Sequence, residues 1–251
     1  MKKIGTLVAG LLLAGGLWYI NVVPGLWDIQ HAGEDVDAAN AERRAFHREA
    51  RMATFAVDQV PPGAILFFGS STIERMPLPF LFQGVPAINR GVGEEEAELL
   101  RARLASATSE EIWPTVSGVV LYAGSLDRTR LGASPEAVAQ RVEGVVDDLV
   151  ALAPQAEVLV LGLLPQRDTT RGESEDLDEL NNAVARLCLA RGGVGFLNLN
   201  RAPLRDPLGQ LAMAYSSDRF HLNADGYQVL ADWVRREGGE LALLLFPEPP
   251  K

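Results

Sequence analysis

The stretch Ala64-Ile65-Leu66-Phe67-Phe68-Gly69-Ser70-Ser71-Thr72-Ile73, AILFFGSSTI, decides the fold. Five apolar residues in a row, followed by a glycine and two hydroxyls, read as a strand buried on both faces that ends in a turn. Four later runs have the same character: VPAIN from Val85, GVVLYAG from Gly118, EVLVLGLL from Glu157 and GFLNLN from Gly195. Amphipathic segments lie between them. Val138, Val142, Val145, Leu149 and Leu152 share one helix face, introduced by Ser134 as cap and Pro135 in the first turn. Leu177, Leu180, Val184 and Leu187 mark a second helix, closed by Gly192-Gly193, and Tyr227, Leu230 and Val234 mark a third. Strand and helix alternating in this way predict an α/β fold, an open parallel sheet of about five strands with helices on both faces. Ligands in such folds bind at the carboxyl ends of the strands.

The totals narrow the function classes. In 251 residues, 47% hydrophobic and 22% charged is an ordinary globular mixture. Against 23 basic residues stand 33 acidic ones, a formal charge of -10 that repels phosphate backbones, so nucleic acid is not an expected partner. The single cysteine, Cys188, has no partner for an internal disulfide and falls in a helical run beside Leu187, where it reads as a core residue. Three histidines, none at ligand spacing with cysteines or carboxylates, give no metal motif, and a mechanism without metal or cofactor is expected.

Before the domain lies a different kind of sequence. After Lys2 and Lys3, the segment Ile4 to Val23 holds no charged residue for 20 positions. As a helix it is roughly 30 Å long, enough to cross a bilayer. Trp18 and Tyr19 suit the interfacial belt and the lysines favour an inside N-terminus. LLLAGG is a poor cleavage site, so residues 1–26 read as an uncleaved anchor rather than a removed signal peptide, with the rest of the chain facing outward; cleavage would instead release a secreted domain. Residues 27–60 read as a helical stalk or docking helix, with Phe46, Ala50, Ala53 and Val57 on one face. Pro61-Pro62-Gly63 opens the domain proper, 61–246, and 247–251 form a tail.

At the strand ends a short set of polar residues appears: Ser70 and Ser71, Asn89 to Gly93, Gly124 to Asp127, and Gln166. The run after the fifth strand leads to SSDRFHLNADGY, which holds Asp218 and His221. A serine becomes a nucleophile when a base takes its proton, and histidine titrates near neutrality. His31 and His47 precede the domain, which leaves His221 as the base. Asp218, three residues earlier, is spaced to hold one imidazole nitrogen and leave the other for serine. Taken singly, Gly-Ser-Ser is also an ordinary turn with a helix cap, and Asp-x-x-His an ordinary surface cap.

In order, these segments resemble the GDSL-like SGNH hydrolases, a family of serine esterases and acetylhydrolases on a flavodoxin-like sheet. The resemblance runs from about Arg44 to Val234 and rests on PPGAILFFGSSTI, the Asp-x-x-His block with HLNADGY, and SPEAV after the third strand. It implies Ser71 as nucleophile, Ser70 as the residue before it, His221 as base and Asp218 as its orienter. It implies an O-acetyl or other short acyl ester as substrate, carried on a small molecule or a glycan.

Two positions depart from the family pattern. The second block, roughly Asn-x-Gly-x-Gly-Gly, ends in a glycine whose N–H serves the oxyanion hole; in NRGVGEEEAEL that position is Glu94. Its N–H remains, beside that of Ser71, provided the backbone conformation is open to a non-glycine residue. Gly93 takes the glycine role if the loop is one residue shorter. Glu94, Glu95 and Glu96 together read as an acidic first turn favoured by the helix dipole. The third block, Gly-x-Asn-Asp, stands here as Gly124-Ser125-Leu126-Asp127, and Leu126 has no donor to replace the asparagine. Ser125 is the nearest substitute. Three alternatives therefore stay open at the level of sequence: a hydrolase of weakened activity, a transferase of acyl groups onto an envelope glycan, and a pseudoenzyme that binds carbohydrate or protein.

Overall fold

The structure, a computed structural model, describes residues 34–104 and 112–248. The apolar segment expected to cross the membrane lies outside the described residues, as does the end of the tail. Among the described residues no helix is long and apolar enough to span a bilayer. The chain divides into two compact units, Met1–Ala50 and Arg51–Lys251. A helix, α1 (Glu34–Val57), runs through the segment expected to be a stalk, and its last residues belong to the second unit.

The second unit is built on five parallel strands: β1 (Ile65–Gly69), β2 (Ala87–Gly91), β3 (Gly118–Tyr122), β4 (Glu157–Leu161) and β5 (Val194–Leu197), in the spatial order β2-β1-β3-β4-β5. Every residue of β1 and β3 is buried, which is why these runs carry no alternation of polar and apolar side chains. From β1 the chain passes to β2 on one side and then to β3 on the other, so the order reverses between β1 and β3. A crevice opens at such a reversal, outside the carboxyl ends of the two strands.

The long helices follow their sequence signals. In α6 (Pro135–Leu152) the Ser134 side chain accepts a hydrogen bond from the Ala137 N–H, and Val138, Val142, Val145 and Leu149 are buried. For α7 (Arg171–Leu189) a reciprocal capping box joins Thr170 and Glu173. Next, α8 (Ala224–Glu237) starts from the Asn223 cap and buries Tyr227, Leu230 and Val234. A further helix, α9 (Gly239–Leu245), follows directly and buries Leu241, Ala242 and Leu245. Short helices lie at strand ends: α2 (Ser71–Glu74) after β1, α3 (Leu78–Leu81) before β2, α4 (Ala97–Arg103) after β2 and α5 (Ser125–Thr129) after β3. Cys188 is buried in the core, and burial pushes its thiol up to about 11.

Two local expectations are corrected. In the part of α1 that belongs to the second unit, Ala53 and Val57 are exposed, and the buried residue is Phe55. The guanidiniums of Arg51, Arg90 and Arg103 lie 4.9, 4.8 and 5.9 Å from its ring centroid. The glutamates 94 to 96 are not the first turn of a helix, because α4 begins at Ala97 and only Glu98 is acidic there. Glu95 instead turns into the interior and accepts from Arg103 Nε at 2.6 Å, with both side chains 1% exposed.

Candidate active site

Ser71 is the first residue of α2, directly after β1, so its N–H has no acceptor within the helix. The turn into α2 is tight. A Cβ on Gly69 would lie 2.4 Å from the Tyr122 carbonyl oxygen, and one on Gly91 would lie 2.3 Å from the Glu74 nitrogen, so both positions exclude any side chain. Around the same turn, the Asn89 Nδ2 amide donates to the Ile73 carbonyl at 2.6 Å, and the buried Tyr227 hydroxyl donates to the Thr72 carbonyl at 2.7 Å. Tyr227 thus ties α8 to the segment that carries the serine. Its hydroxyl pKa is raised, chiefly by burial, which keeps it a donor.

Asp218 and His221 sit in a loop closed by the antiparallel bridge of Ser216 with Leu222 and by the Ser217 N–H donating to the His221 carbonyl at 2.9 Å. Asp218 Oδ1 accepts from the backbone N–H groups of Phe220 at 2.7 Å and His221 at 2.8 Å, while Oδ2 lies 2.7 Å from His221 Nδ1. Partial burial pushes this carboxyl up, but the hydrogen bonds from the Phe220 N–H, the His221 ring and the His221 N–H together outweigh it and hold the pKa at about 2. An ionised carboxylate only accepts, so Nδ1 carries the imidazole proton and Nε2 is left as an acceptor. His221 Nε2 lies 2.9 Å from Ser71 Oγ. Three side chains from opposite ends of the domain therefore form one hydrogen-bonded line, Asp218 to His221 to Ser71. Arg75 adds a longer contact, its Nη1 3.8 Å from Asp218 Oδ2.

The candidate oxyanion donors fare differently. Glu94 has a φ of 58°, the left-handed conformation that glycine adopts at no steric cost, so the expected conformation is present with a non-glycine residue in it. Two clamps hold that turn. On one side the Gly93 N–H donates to Glu74 Oε2, and Glu74 Oε1 lies 3.7 Å from Arg51 Nε, which itself donates to the Gly91 carbonyl at 3.1 Å. On the other side Arg130 donates to the Glu94 carbonyl at 3.3 Å and pairs with the Glu96 carboxylate. The Gly93 N–H is thus engaged with a carboxylate, which removes it as an oxyanion donor. Ser125 opens α5, and its Oγ lies 3.2 Å from the Oγ of the buried Ser70 across the crevice between β1 and β3. Leu126 follows, half-buried. Asp127, fully buried, accepts from the Ala97 N–H and from Arg141 Nη1, each at 2.9 Å, and so pins the start of α4 to α5.

Arg51, Glu74 and Arg130 have no role on sequence grounds alone, because each acts on a partner 19 to 40 residues away that no local period reveals. Among the described residues no group of three or more His, Cys, Asp or Glu side chains is placed to hold a metal ion.

A serine, a histidine and an aspartate linked in this order, at the strand-order reversal of an open parallel sheet, define a site of the serine-hydrolase class. The chain belongs to the GDSL-like lipase/acylhydrolase family, which matches residues 74–229, a stretch that includes Asp218 and His221. Platelet-activating factor acetylhydrolase IB subunit alpha2 from Homo sapiens is 27% identical over 234 residues, 89% of this chain and 93% of its own length. A solved structure of a candidate platelet activating factor from Streptococcus pneumonia superposes with a TM-score of 0.72 at 23% identity, covering 82% of this chain and 99% of that one. A GDSL-like lipase from Bacteroides thetaiotaomicron gives 0.58 at 17% identity over 75% of this chain and 95% of that one. At these identities the two structures establish the fold.

Proposed function

We propose that this protein hydrolyses carboxylic esters of O-acetyl or other short acyl groups, with Ser71 as nucleophile, His221 as general base and acid, and Asp218 as the group that orients His221. The observation that carries it is the line from Asp218 Oδ2 to His221 Nδ1 at 2.7 Å and from His221 Nε2 to Ser71 Oγ at 2.9 Å. Ser71 Oγ attacks the ester carbonyl as its proton passes to His221 Nε2, and Asp218 stabilises the imidazolium. The carbonyl oxygen becomes an alkoxide facing the N–H groups of Ser71 and Glu94. Collapse breaks the bond to the leaving oxygen, which takes the proton from Nε2. A water then gives a proton to Nε2, attacks the acyl-serine and releases the acid, and the proton returns to Ser71. The names of the mammalian relatives, acetylhydrolases, support the short acyl group.

Leu126 contributes no donor to the alkoxide. Loss of one such donor costs on the order of 10² to 10³ in rate, so slow turnover is expected. That same residue favours the second reading, a catalytically impaired protein that binds its ligand without chemistry. Hydrolysis of p-nitrophenyl acetate by the purified protein, absent in Ser71→Ala, supports the first. Equal rates in the two proteins support the second.

The segment Ile4 to Val23, uncharged and preceded by two lysines, supports a further part of the proposal: the protein is held at the cytoplasmic membrane with its domain facing outward.

A further inference from the structure

A cavity of about 400 Å³ opens beside the catalytic loop, with walls that include Arg128, Gln166, Glu173, Asp176, Arg219 and Phe220. Arg219 and Phe220 directly precede His221 in the chain. On the reading of Ser71, His221 and Asp218 given above, the leaving oxygen takes its proton from His221 Nε2, and the cavity is walled by the two residues that precede this histidine. The carbonyl oxygen faces the Ser71 and Glu94 N–H groups at the ends of β1 and β2.

The lining says what would fit. Two guanidiniums and two carboxylates face the space, and they balance each other. Arg128 Nη2 donates to the Glu173 carbonyl, and Arg219 Nη2 lies 3.9 Å from Glu173 Oε1 while its Nε donates to the Arg167 carbonyl at 3.0 Å. Asp176 and Glu173 are also the carboxylates whose charge acts on Arg128. An anionic ligand would have to compete with these carboxylates for the guanidiniums, and a cationic one with the guanidiniums for the carboxylates. A long hydrocarbon chain would strip water from all four charges without replacing its hydrogen bonds. A neutral ligand rich in hydroxyls can donate to Asp176 and accept from Gln166 without disturbing the charge balance. Among the described residues neither the Gln166 amide nor the Asp176 carboxylate is hydrogen-bonded to another residue, so both are available. Phe220, 42% exposed, supplies an apolar wall.

We infer that this cavity is the leaving-group subsite and that it takes an uncharged polyhydroxylated group, the sugar of an acylated saccharide. This rests on the ester hydrolase reading, and the two are separated by measuring binding as well as turnover. With the full-length protein, kcat/KM is measured on O-acetylated xylotetraose and on p-nitrophenyl acetate for wild type, Gln166→Leu and Asp176→Ala. Unacetylated xylotetraose is titrated calorimetrically into Ser71→Ala with and without each pocket substitution. The expected result is a fall of about tenfold or more in the ratio of saccharide to nitrophenyl turnover for each variant, with saccharide binding weakened by a similar factor. Equal losses on both esters, or no binding of the saccharide, would overturn the subsite while leaving the hydrolase standing. A wild type that prefers an acetylated phospholipid over the saccharide would overturn it too. Saccharide binding that both substitutions weaken, in a protein that cleaves neither ester, would keep the cavity as a saccharide site but overturn its leaving-group role together with the hydrolase.

Discussion

Leu126 occupies the second position of α5, where the family pattern has an asparagine, and its isobutyl group has no hydrogen to offer a developing alkoxide. Leu126→Asn is therefore expected to raise kcat for p-nitrophenyl acetate by about 10- to 100-fold with little change in KM, since the restored donor acts mainly in the transition state. Unchanged kcat would mean that another group already fills the position, Ser125 being the nearest hydroxyl. Asp218 carries a pH prediction. Its folded pKa, about 2, lies below the ordinary 3.8, so its contribution to stability is complete above the ordinary value and is lost as pH falls through the folded one. The side chain is 45% exposed, and solvent screening makes the contribution small. The stability difference between wild type and Asp218→Asn, measured by denaturant titration, is expected to shrink between about pH 4 and pH 2; a constant difference contradicts the assignment. Ser71, His221 and Asp218 could be picked out from residue types and strand ends. The engagement of Gly93 with Glu74 could not, because it depends on where a side chain on α2 reaches after the sheet has formed.

The elements around the site behave as clamps. Arg51 on α1 joins the Gly91 carbonyl to Glu74, whose other oxygen takes the Gly93 N–H, so a helix outside the sheet steadies the turn that presents the Glu94 N–H. Removing that support by Arg51→Ala is expected to lower kcat roughly tenfold more than it changes KM, because the alkoxide forms only in the transition state. A rise in KM alone would contradict the role. Glu95 makes a stability test. It is paired with Arg103 where both side chains are 1% exposed, and Glu95→Ala leaves a buried guanidinium without that carboxylate, a loss of about 3 to 5 kcal/mol by chemical denaturation. The strands were legible because runs such as Ile65–Phe68 are apolar throughout, and α6 because Ser134-Pro135 announces it. The packing of α1 was not: the spacing of Phe46, Ala50, Ala53 and Val57 marks one face, while in the second unit Phe55, ringed by arginines, is the residue that is buried. The glutamate run failed for a related reason, since its members pair with Arg103 and Arg130 rather than with a helix end.

Across the whole molecule, sheet order places the chemistry. The reversal between β1 and β3 brings Ser71 and Ser125 to one crevice, and the loop after β5 returns 150 residues later to supply His221. The α/β architecture was readable in advance because alternation of apolar runs and amphipathic segments admits few topologies. The partner of each buried charge was not, since pairing across the fold leaves no period in the sequence. The N-terminal apolar segment gives a prediction at this scale: the full chain is expected in the membrane fraction, and deletion of residues 1–26 is expected to release it, as fractionation and immunoblotting would show.

The proposed reaction requires Ser71 to be an activated nucleophile. Its reactivity is read by treating the full-length protein with a fluorophosphonate, followed by intact-mass and peptide analysis. One phosphonyl adduct on Ser71 is expected, lost in Ser71→Ala and strongly slowed in His221→Ala. A wild type that stays unlabelled beside a reactive member of the family, or one labelled equally well without His221, would contradict it.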